Sequence, residues 1–413
     1  MSPARSRTVK RLKAPSGLKA LSGLKAHSER DERMMRLALR QAARGDGRTH
    51  PNPSVGAIVF RGDRVLGRGT TRPPGGAHAE VVAIESARRR HGDRALRGAS
   101  IAVTLEPCNF QGRTGPCTEA ILDAGLARVV AGCRDPHPQV AGKGFGRLRR
   151  QGVEVIRGVL EAECRYQHRG FLSVCELGRP WVTLKLATSL DGRIATASGE
   201  SRWITGSASR EFVHRLRDEH DAVMVGSETA LADDPELTAR RGGKLVREPI
   251  RVLLDGRLRV PTSARLLTGP GAARTWVVCR ARARGIRRVR EVAGRVLEVP
   301  AASGGHVDLD VAFQLLAREG LTRILVEGGG GLAAALLRAD LVDEVHWMLA
   351  PMLIGGDGKP GLGPLELARL AEAVSIEPIR VGRRERDLYV HGFVCRDSSS
   401  GASTGKRGGS RKK

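Results

Sequence analysis

Aromatic residues are scarce in this sequence, and long apolar runs are missing from it. Phe, Tyr and Trp make up 3% of the 413 residues, which gives little support to a platform on which nucleic-acid bases would stack. No apolar stretch reaches the roughly 18 residues that a membrane-spanning helix needs. The seven cysteines are an odd number scattered along a long chain. They argue against a disulfide framework and for a reducing compartment such as the cytoplasm.

Acidic residues are too few to balance the basic ones, and the formal net charge is +26. Much of the excess lies in two low-complexity ends, residues 1–29 and 396–413. We expect both to be disordered tails, because neither can bury enough apolar surface to order itself. The body of the chain has no dense basic run and suits a phosphorylated small substrate as well as RNA. Nucleic acid is therefore not expected as a partner, apart from non-specific contacts of the tails.

The length and the residue pattern predict two domains of the α/β class. A chain of 413 residues is too long for one ordinary domain. Between the tails, segments typical of helices alternate with segments typical of strands in both halves, which places helices on the faces of sheets. The predicted helices include residues 29–45, 78–90 and 207–219, and a hairpin is predicted around Gly62-Asp63. A boundary near Glu176–Pro180 would separate a domain of residues 30–175 from a domain of residues 179–395.

Two short stretches of the first half, "HAE" at 78–80 and "TLEPCNFQGRTGPC" at 104–117, predict a metal site. His78, Cys108 and Cys117 would leave one position of a tetrahedral zinc ion open, which is typical of catalytic sites. Zinc lowers the pKa of its bound water to about 7. Glu80 lies next to a ligand without being one, so it can take the proton of that water and deliver it to a leaving amine. Zinc deaminases use a histidine, a non-ligand glutamate and a Pro-Cys pair in this way, and Pro107 precedes Cys108.

An isolated cysteine or histidine is more often structural than a ligand, so the signal lies in the combination. The spacing between the two cysteines narrows the class of deaminase. Base and nucleoside deaminases use C-x-x-C, whereas this chain has eight residues between its two cysteines. The basic charge together with the "HAE" and "PC" elements leaves a nucleobase or tRNA deaminase with an accessory domain as an alternative. A non-catalytic nucleic-acid-binding protein that uses its tails is another.

Several longer stretches carry a resemblance to one family. They are "CNFQGRTGPC", "GRTHPNPSVGAIV" and "AGLARVVAGCRDPHPQVAGKGFGRLRRQGVEV" in the first half, and "LKLATSLDGRIATASGESRWITG", "GSETALADDPELTAR" and "LVEGGGGLAAALLRADLVDEVHWMLAPMLIGG" in the second. In this order, over residues 30–395, the chain resembles the bifunctional deaminase and reductase family of riboflavin biosynthesis.

This resemblance implies a fold and two reactions. The amino-terminal domain would have the cytidine-deaminase-like three-layer α/β/α fold, and the carboxy-terminal domain the dihydrofolate-reductase-like α/β fold. The first would use zinc to deaminate 2,5-diamino-6-(5-phosphoribosylamino)pyrimidin-4(3H)-one to 5-amino-6-(5-phosphoribosylamino)uracil. The second would use NADPH to reduce the ribose, giving 5-amino-6-(5-phosphoribitylamino)uracil. We also expect a homo-oligomer, either a dimer or a tetramer.

For the deaminase, the resemblance assigns zinc to the three ligands already named and proton transfer to Glu80. It places Asn52 and Arg113 at the pyrimidine substrate. The family usually has Ser-His after the first zinc cysteine, whereas this chain has Asn109-Phe110. The change removes a polar contact to the substrate and leaves metal binding untouched. A reductase with a weakened deaminase domain is therefore an alternative to two fully active domains.

For the reductase, the resemblance assigns two sets of residues. The NADPH site would be lined by Ala187, Trp203, Thr229, Asp233 and Gly329. The substrate site would be lined by Ser201, Arg217, Leu237, Arg240 and Glu327. Lys185 and Asp191 are further candidates near the hydride acceptor. The glycine run "VEGGGG" should end a strand and open a helix, where backbone N–H groups favour an anion.

Overall fold

The computed structural model describes residues 27–111 and 115–395. The first 26 residues, the segment 396–413 and Arg113 lie outside the described residues, so the predicted tails stay a prediction. The chain forms two large sheets, the first from residues before position 160 and the second from residues after position 180. Helices flank both sheets, which confirms the α/β class.

The amino-terminal sheet has five strands in the order β2-β1-β3-β4-β5. These strands are β1 (Gly56–Arg61), β2 (Arg64–Thr70), β3 (Ser100–Leu105), β4 (Arg128–Cys133) and β5 (Glu154–Arg157). The accompanying helices are α1 (Glu29–Ala42), α2 (Ala79–His91), α3 (Cys117–Asp123), α4 (Lys143–Arg150), α5 (Glu161–Gln167) and α6 (Arg169–Leu177). β1 pairs antiparallel with both β2 and β3, whereas β3, β4 and β5 run parallel.

Helix α1 forms where the sequence predicted a helix. Its capped start and its buried apolar face both stabilise a helix there. The Ser28 side chain caps it by accepting a hydrogen bond from the Asp31 amide at 3.2 Å. Asp31 then forms a buried ion pair with Arg128 on β4, with a shortest distance of 2.7 Å. The buried side chains on its inner face include Met34, Met35, Ala38 and Ala42. The helix ends at Ala42, and a short 3-10 turn occupies the last residues predicted as helix.

Helix α2 lies in direct contact with the β1–β2 hairpin, and two glycines make this possible. A Cβ atom on Gly69 would be 2.0 Å from the carbonyl oxygen of Ala79, and one on Gly67 would be 2.2 Å from that of Ala83. Real Cβ atoms do not approach so closely, so a side chain at either position would push α2 away from the sheet. The first turn of α2 carries Glu80, so this packing sets the position of a predicted catalytic residue.

The carboxy-terminal sheet has nine strands in the order β13-β12-β11-β8-β14-β6-β15-β18-β17. Its strands are β6 (Trp181–Ser189), β8 (Ala222–Gly226), β11 (Ile250–Leu254), β12 (Thr275–Arg280), β13 (Arg295–Val299), β14 (Arg323–Val326), β15 (Glu344–Ala350), β17 (Ile376–Arg384) and β18 (Asp387–Val394). The remaining strands form two small ribbons: β7 (Arg193–Ala195) with β16 (Lys359–Pro360), and β9 (Ala239–Arg241) with β10 (Lys244–Arg247).

Helices pack on both faces of this sheet. They are α7 (Ser207–Glu219), α8 (Ser227–Asp233), α9 (Arg265–Thr268), α10 (Ile286–Arg290), α11 (Leu309–Arg318) and α12 (Gly330–Arg338). All neighbouring strands from β13 to β15 run parallel, and β18 and β17 add an antiparallel edge. The sequence patterns did not single out β15, β17 or β18. Most of the residues of β17 are exposed, so its side chains lack the apolar alternation of a half-buried strand.

The two halves meet after helix α6, which ends at Leu177. Glu176 therefore still belongs to a helix, and the connection is shorter than predicted. Helices α5 and α6 contact both sheets, because Tyr166 and Arg169 reach Glu344 on β15. The limits 30–175 and 179–395 thus stay a prediction. Among the described residues, no helix is long and apolar enough to span a membrane.

The packing of α2 on the hairpin is tested by Gly69→Ala. We expect the added methyl group to destabilise the fold by about 1–3 kcal/mol, because it overfills a closed contact. The melting temperature should fall, and bound zinc should be lost more readily on dialysis. Gly382→Ala is the matched control, since a Cβ atom there has no neighbour within 4 Å. Equal melting temperatures for the two variants would show that α2 does not depend on this contact.

Candidate functional site

The three predicted metal ligands come together at one end of the amino-terminal sheet. His78 is the residue that precedes α2, Cys108 follows β3, and Cys117 is the first residue of α3. The Nδ1 atom of His78 lies 3.2 Å from the Cys117 sulfur and 3.5 Å from the Cys108 sulfur. All three ligand atoms lie within 4.8 Å of one another. The structure therefore gathers one imidazole and two thiols from three different elements.

The chemistry of this donor set fits zinc. Hydrogen bonds from Cys117 and His78 lower the pKa of the Cys108 thiol to about 4. The hydrogen bond with Cys108, burial and the negative charges of Glu80 and Cys108 hold the pKa of the Cys117 thiol well above its usual range. A divalent cation between the two sulfurs removes this repulsion and allows both to bind as thiolates. Zinc accepts thiolate sulfur and imidazole nitrogen together, and three protein ligands leave its fourth position for water or substrate.

Glu80 lies in the first turn of α2 and is 3% exposed. Burial raises the pKa of its carboxyl to about 7, and the negative charge of Cys108 adds to this shift. A carboxyl with such a pKa exchanges a proton readily near neutral pH, which is what a group that both accepts and donates a proton needs. The position and the environment of Glu80 therefore agree with the role predicted for it.

A second buried glutamate supports the cysteine loop, and the sequence reasoning missed it. Glu106 is 3% exposed and accepts hydrogen bonds from the amides of Gly142 and Phe145 at 3.0 and 3.2 Å. These bonds tie the segment before Cys108 to the start of α4. The signal was present in the sequence, because Glu106 stands within "EPC", but nothing in the spacing indicated a partner some 36 positions later.

The two residues that depart from the family pattern both have partners. The Asn109 side chain accepts a hydrogen bond from the Thr118 hydroxyl at 2.8 Å, which fixes the loop to α3. The Phe110 ring stacks on the His137 ring with centroids 6.5 Å apart. The Phe110 side of the loop thus contains an aromatic pair, and His137 brings an imidazole to the same part of the domain.

Asn52 is exposed and closes a turn in which its backbone N–H donates a hydrogen bond to the Thr49 carbonyl at 2.9 Å. Shortly after it, the Val55 amide bonds to Thr71 and the Gly56 amide bonds to Thr104. Those two threonines belong to the segments that lead to His78 and Cys108. Asn52 therefore stands on a loop that runs beside the ligand-bearing segments.

The predicted reductase residues collect at the carboxyl ends of β6, β8 and β14. Arg217 on α7 makes a two-fold ion pair with Glu327, which follows β14, at 2.6 and 2.9 Å. A third guanidinium nitrogen donates to the Thr238 carbonyl at 3.1 Å. The side-chain ammonium of Lys185 on β6 has no hydrogen bond or ion pair within residues 27–111 and 115–395. Burial lowers the pKa of its ammonium.

Two of the predicted NADPH residues, Gly329 and Thr229, meet at the start of α12. Gly329 precedes this helix, and its amide donates to the Thr229 hydroxyl at 2.8 Å. The glycine run therefore ends a strand and opens a helix, as predicted. Trp203 is 65% exposed, and the guanidinium of Arg210 lies 4.6 Å from its ring centre. Ala187 is half-buried on β6, and Asp233 is exposed at the end of α8.

The other reductase candidates have varied surroundings. Leu237 is buried with a φ of 55°, and Ser201 is half-buried in the loop before α7. Arg240 on β9 donates to Glu236 at 2.8 Å. Asp191 accepts hydrogen bonds from the Ser189 hydroxyl and from the amides of residues 354 and 355, which lower the pKa of its carboxyl to about 2. The Asp191 oxygens are therefore occupied in a turn. Of Lys185 and Asp191, the two candidates near the hydride acceptor, Lys185 is the stronger.

Comparison with known proteins agrees with this geometry in both halves. The family described as "Cytidine and deoxycytidylate deaminase zinc-binding region" matches residues 28–133, and the family "RibD C-terminal domain" matches residues 180–382. The riboflavin biosynthesis protein RibD of Escherichia coli is 42% identical over 373 residues, which cover 87% of this chain and 98% of that protein. The chain belongs to the RibD family.

Solved RibD structures extend the likeness to the whole fold. RibD of Acinetobacter baumannii superposes with a TM-score of 0.78 at 34% identity, covering 89% of this chain and 99% of that one. The deaminase/reductase of Thermotoga maritima gives a TM-score of 0.76 at 33% identity, with the same two coverages. The chain is thus a bifunctional enzyme of riboflavin biosynthesis with a deaminase domain and a reductase domain. Zinc and NADPH are the cofactors of the two domains in this family.

Metal content tests the ligand set directly. We expect about one zinc ion per chain in the purified protein and none in the Cys108→Ser/Cys117→Ser double variant, because serine is a poor zinc ligand. Zinc is measured by elemental analysis after dialysis. Cys175→Ser is the control, since Cys175 is an exposed cysteine outside this cluster. Full zinc occupancy in the double variant would contradict the assignment.

Proposed function

We propose that the amino-terminal domain deaminates 2,5-diamino-6-(5-phosphoribosylamino)pyrimidin-4(3H)-one through His78, Cys108, Cys117 and Glu80. The observation that carries this proposal is the convergence of three zinc-type ligands beside one buried carboxyl group. When bound, zinc supplies the activation of a water molecule as nucleophile. Glu80 takes the proton of that water and passes it to the amine that leaves the ring. Its raised pKa suits both transfers.

Substrate positioning in this domain is assigned to Asn52 and Arg113. The amide of Asn52 can both donate and accept hydrogen bonds, which suits the edge of a pyrimidine ring. The guanidinium of Arg113 suits the phosphate of the substrate. The stacked pair of Phe110 and His137 adds an apolar wall, and we infer that the deaminase still works with this altered loop.

The carboxy-terminal domain is proposed to reduce the ribose of the deaminated product with a hydride from NADPH. Lys185 is the cation we assign to the ribose oxygen, because it is half-buried, the charges of Glu327, Arg217 and Asp233 act on its ammonium, and it has no hydrogen bond to any of them. Arg217 uses three of its five N–H donors on Glu327 and Thr238. Its main effect is to hold that carboxylate in place. The start of α12 at Gly329 offers backbone N–H groups to a phosphate of the cofactor.

The remaining parts of the proposal concern the state of the enzyme. We infer a homo-oligomer, either a dimer or a tetramer, that works in the cytoplasm on phosphorylated pyrimidines. All seven cysteines are free thiols, which suits a reducing compartment. The unit of residues 30–175 would carry the deaminase, and the unit of residues 179–395 the reductase.

Proton transfer by Glu80 is tested with Glu80→Gln. We expect this variant to keep its zinc and to lose deamination by about a thousandfold, because glutamine cannot carry the proton. Reduction of a substrate that is already deaminated should be unchanged. Glu85→Gln serves as the control, since Glu85 lies exposed on the same helix. A normal deamination rate in Glu80→Gln would assign the proton transfer to another group.

The role of Lys185 is tested with Lys185→Met, which keeps the length of the side chain and removes its charge. We expect reductase kcat/KM to fall by about a hundredfold or more, because an electrostatic contact to the reacting oxygen is lost. Deamination should not change. Lys244→Met is the control, since Lys244 is exposed on β10. Reductase kinetics within twofold of the unaltered enzyme would rule out the assignment.

A further inference from the structure

The loop that leads to Asn52 is held by residues of the other domain. Asp46 forms an ion pair with Arg323 of β14 at 3.2 Å. The Gly47 carbonyl accepts a hydrogen bond from Arg247 of β10 at 2.7 Å. Two more contacts follow in the next residues, from Arg48 to Asp218 at 2.8 Å and from His50 to Asp221 at 3.6 Å. Four loop positions within five residues thus contact the carboxy-terminal domain.

Two of these contacts, Asp46–Arg323 and Gly47–Arg247, are shielded from water, which separates them from ordinary surface ion pairs. The side chain of Arg323 is 7% exposed, that of Asp46 14%, and that of Arg247 11%. Gln167 adds a hydrogen bond to Asp46 at 2.8 Å. A buried charge is stable only while its partner stays in place. The ion pair of Asp46 and Arg323 therefore holds the loop and the second domain in fixed positions relative to each other.

The cleft between the domains connects these contacts to the substrate residue. Its lining includes Thr49, His50 and Asn52 from the loop with Asp221 and Arg323 from the other side. The loop is not part of a helix or a strand from residue 46 to residue 55. Without the second domain, its conformation would rest on a few turn hydrogen bonds.

We propose that the carboxy-terminal domain positions the substrate loop of the deaminase, with Arg323 as its main positioning residue. Arg323 lies at the amino end of β14, whereas Glu327 and the predicted reductase site lie beyond the carboxyl end of that strand. Its contribution to deamination is therefore indirect and separate from reduction. The proposal rests on the proposed function in one respect, namely that Asn52 contacts the pyrimidine.

The physical reason is the cost of ordering a loop. A loop that is held in place before the substrate arrives loses little conformational freedom on binding. Once the ion pair is broken, the loop samples other conformations, and binding must select the productive one. The deaminase KM should then rise while kcat stays nearly constant, because Glu80 and the metal ligands do not move.

The experiment compares Arg323→Gln, Arg323→Lys and the control Arg290→Gln in the full-length enzyme. Arg290 belongs to the same domain and pairs with Glu298 at 2.6 Å, but it is exposed on α10. For Arg323→Gln we expect a deaminase KM about tenfold higher, a kcat within twofold and unaltered reductase kinetics. Hydrogen exchange of the amides of residues 46–54 should become faster. Arg323→Lys should recover most of the lost affinity, because it keeps the charge.

Three outcomes would overturn the proposal. One is an unchanged deaminase KM or unchanged exchange in the loop of Arg323→Gln. Another is a parallel fall of both activities with a lower melting temperature, which would show a merely structural role. The third comes from Asn52→Ala, measured alongside. If this variant has a normal deaminase KM, the proposed role of Asn52 fails, whereas faster exchange in Arg323→Gln would still show that the second domain holds the loop.

Discussion

The contact between helix α2 and the β1–β2 hairpin is the constraint on which the metal centre depends. The helix backbone lies against Gly67 and Gly69 with no room for a Cβ atom, and its first turn carries Glu80 and follows His78 directly. Any shift of the helix would move the predicted metal ligand and the proposed proton carrier together, away from the two cysteines. Close packing of backbone on backbone thus provides the positional accuracy that catalysis needs.

A buried carboxylate, that of Glu344, joins elements of the two domains. Glu344 is fully buried, and it accepts hydrogen bonds from Tyr166 at 2.6 Å, from Trp181 at 2.9 Å and from His391 at 2.7 Å. Arg169 lies 3.3 Å away and holds the pKa of this carboxyl well below its usual range. Its oxygens already have these partners, so Glu344 anchors helices α5 and α6 to strand β15.

The two candidate sites compensate their buried charges in different ways. In the deaminase, Cys108 and Cys117 cannot both be negative without a cation, so the site is completed by its metal. In the reductase, Arg217 and Glu327 neutralise each other within the protein, and burial lowers the pKa of the Lys185 ammonium. Both candidate sites therefore contain ionisable groups with shifted pKa values, which is typical of functional sites.

Features that depend on neighbours along the chain could be predicted from the sequence: the ends of α7, the β1–β2 hairpin, and the position of His78 and Glu80 at the start of a helix. The resemblance extended these predictions to the family and to both folds. Other features became visible in the folded structure alone: Glu106 binds α4, Phe110 stacks on His137, and strands β15, β17 and β18 form one edge of the second sheet. These features join residues far apart in the chain, and local periodicity carries no information about which distant partner an element meets. The placement of the Asn52 loop against the second domain belongs to this group, because its partners follow it by 170 positions or more.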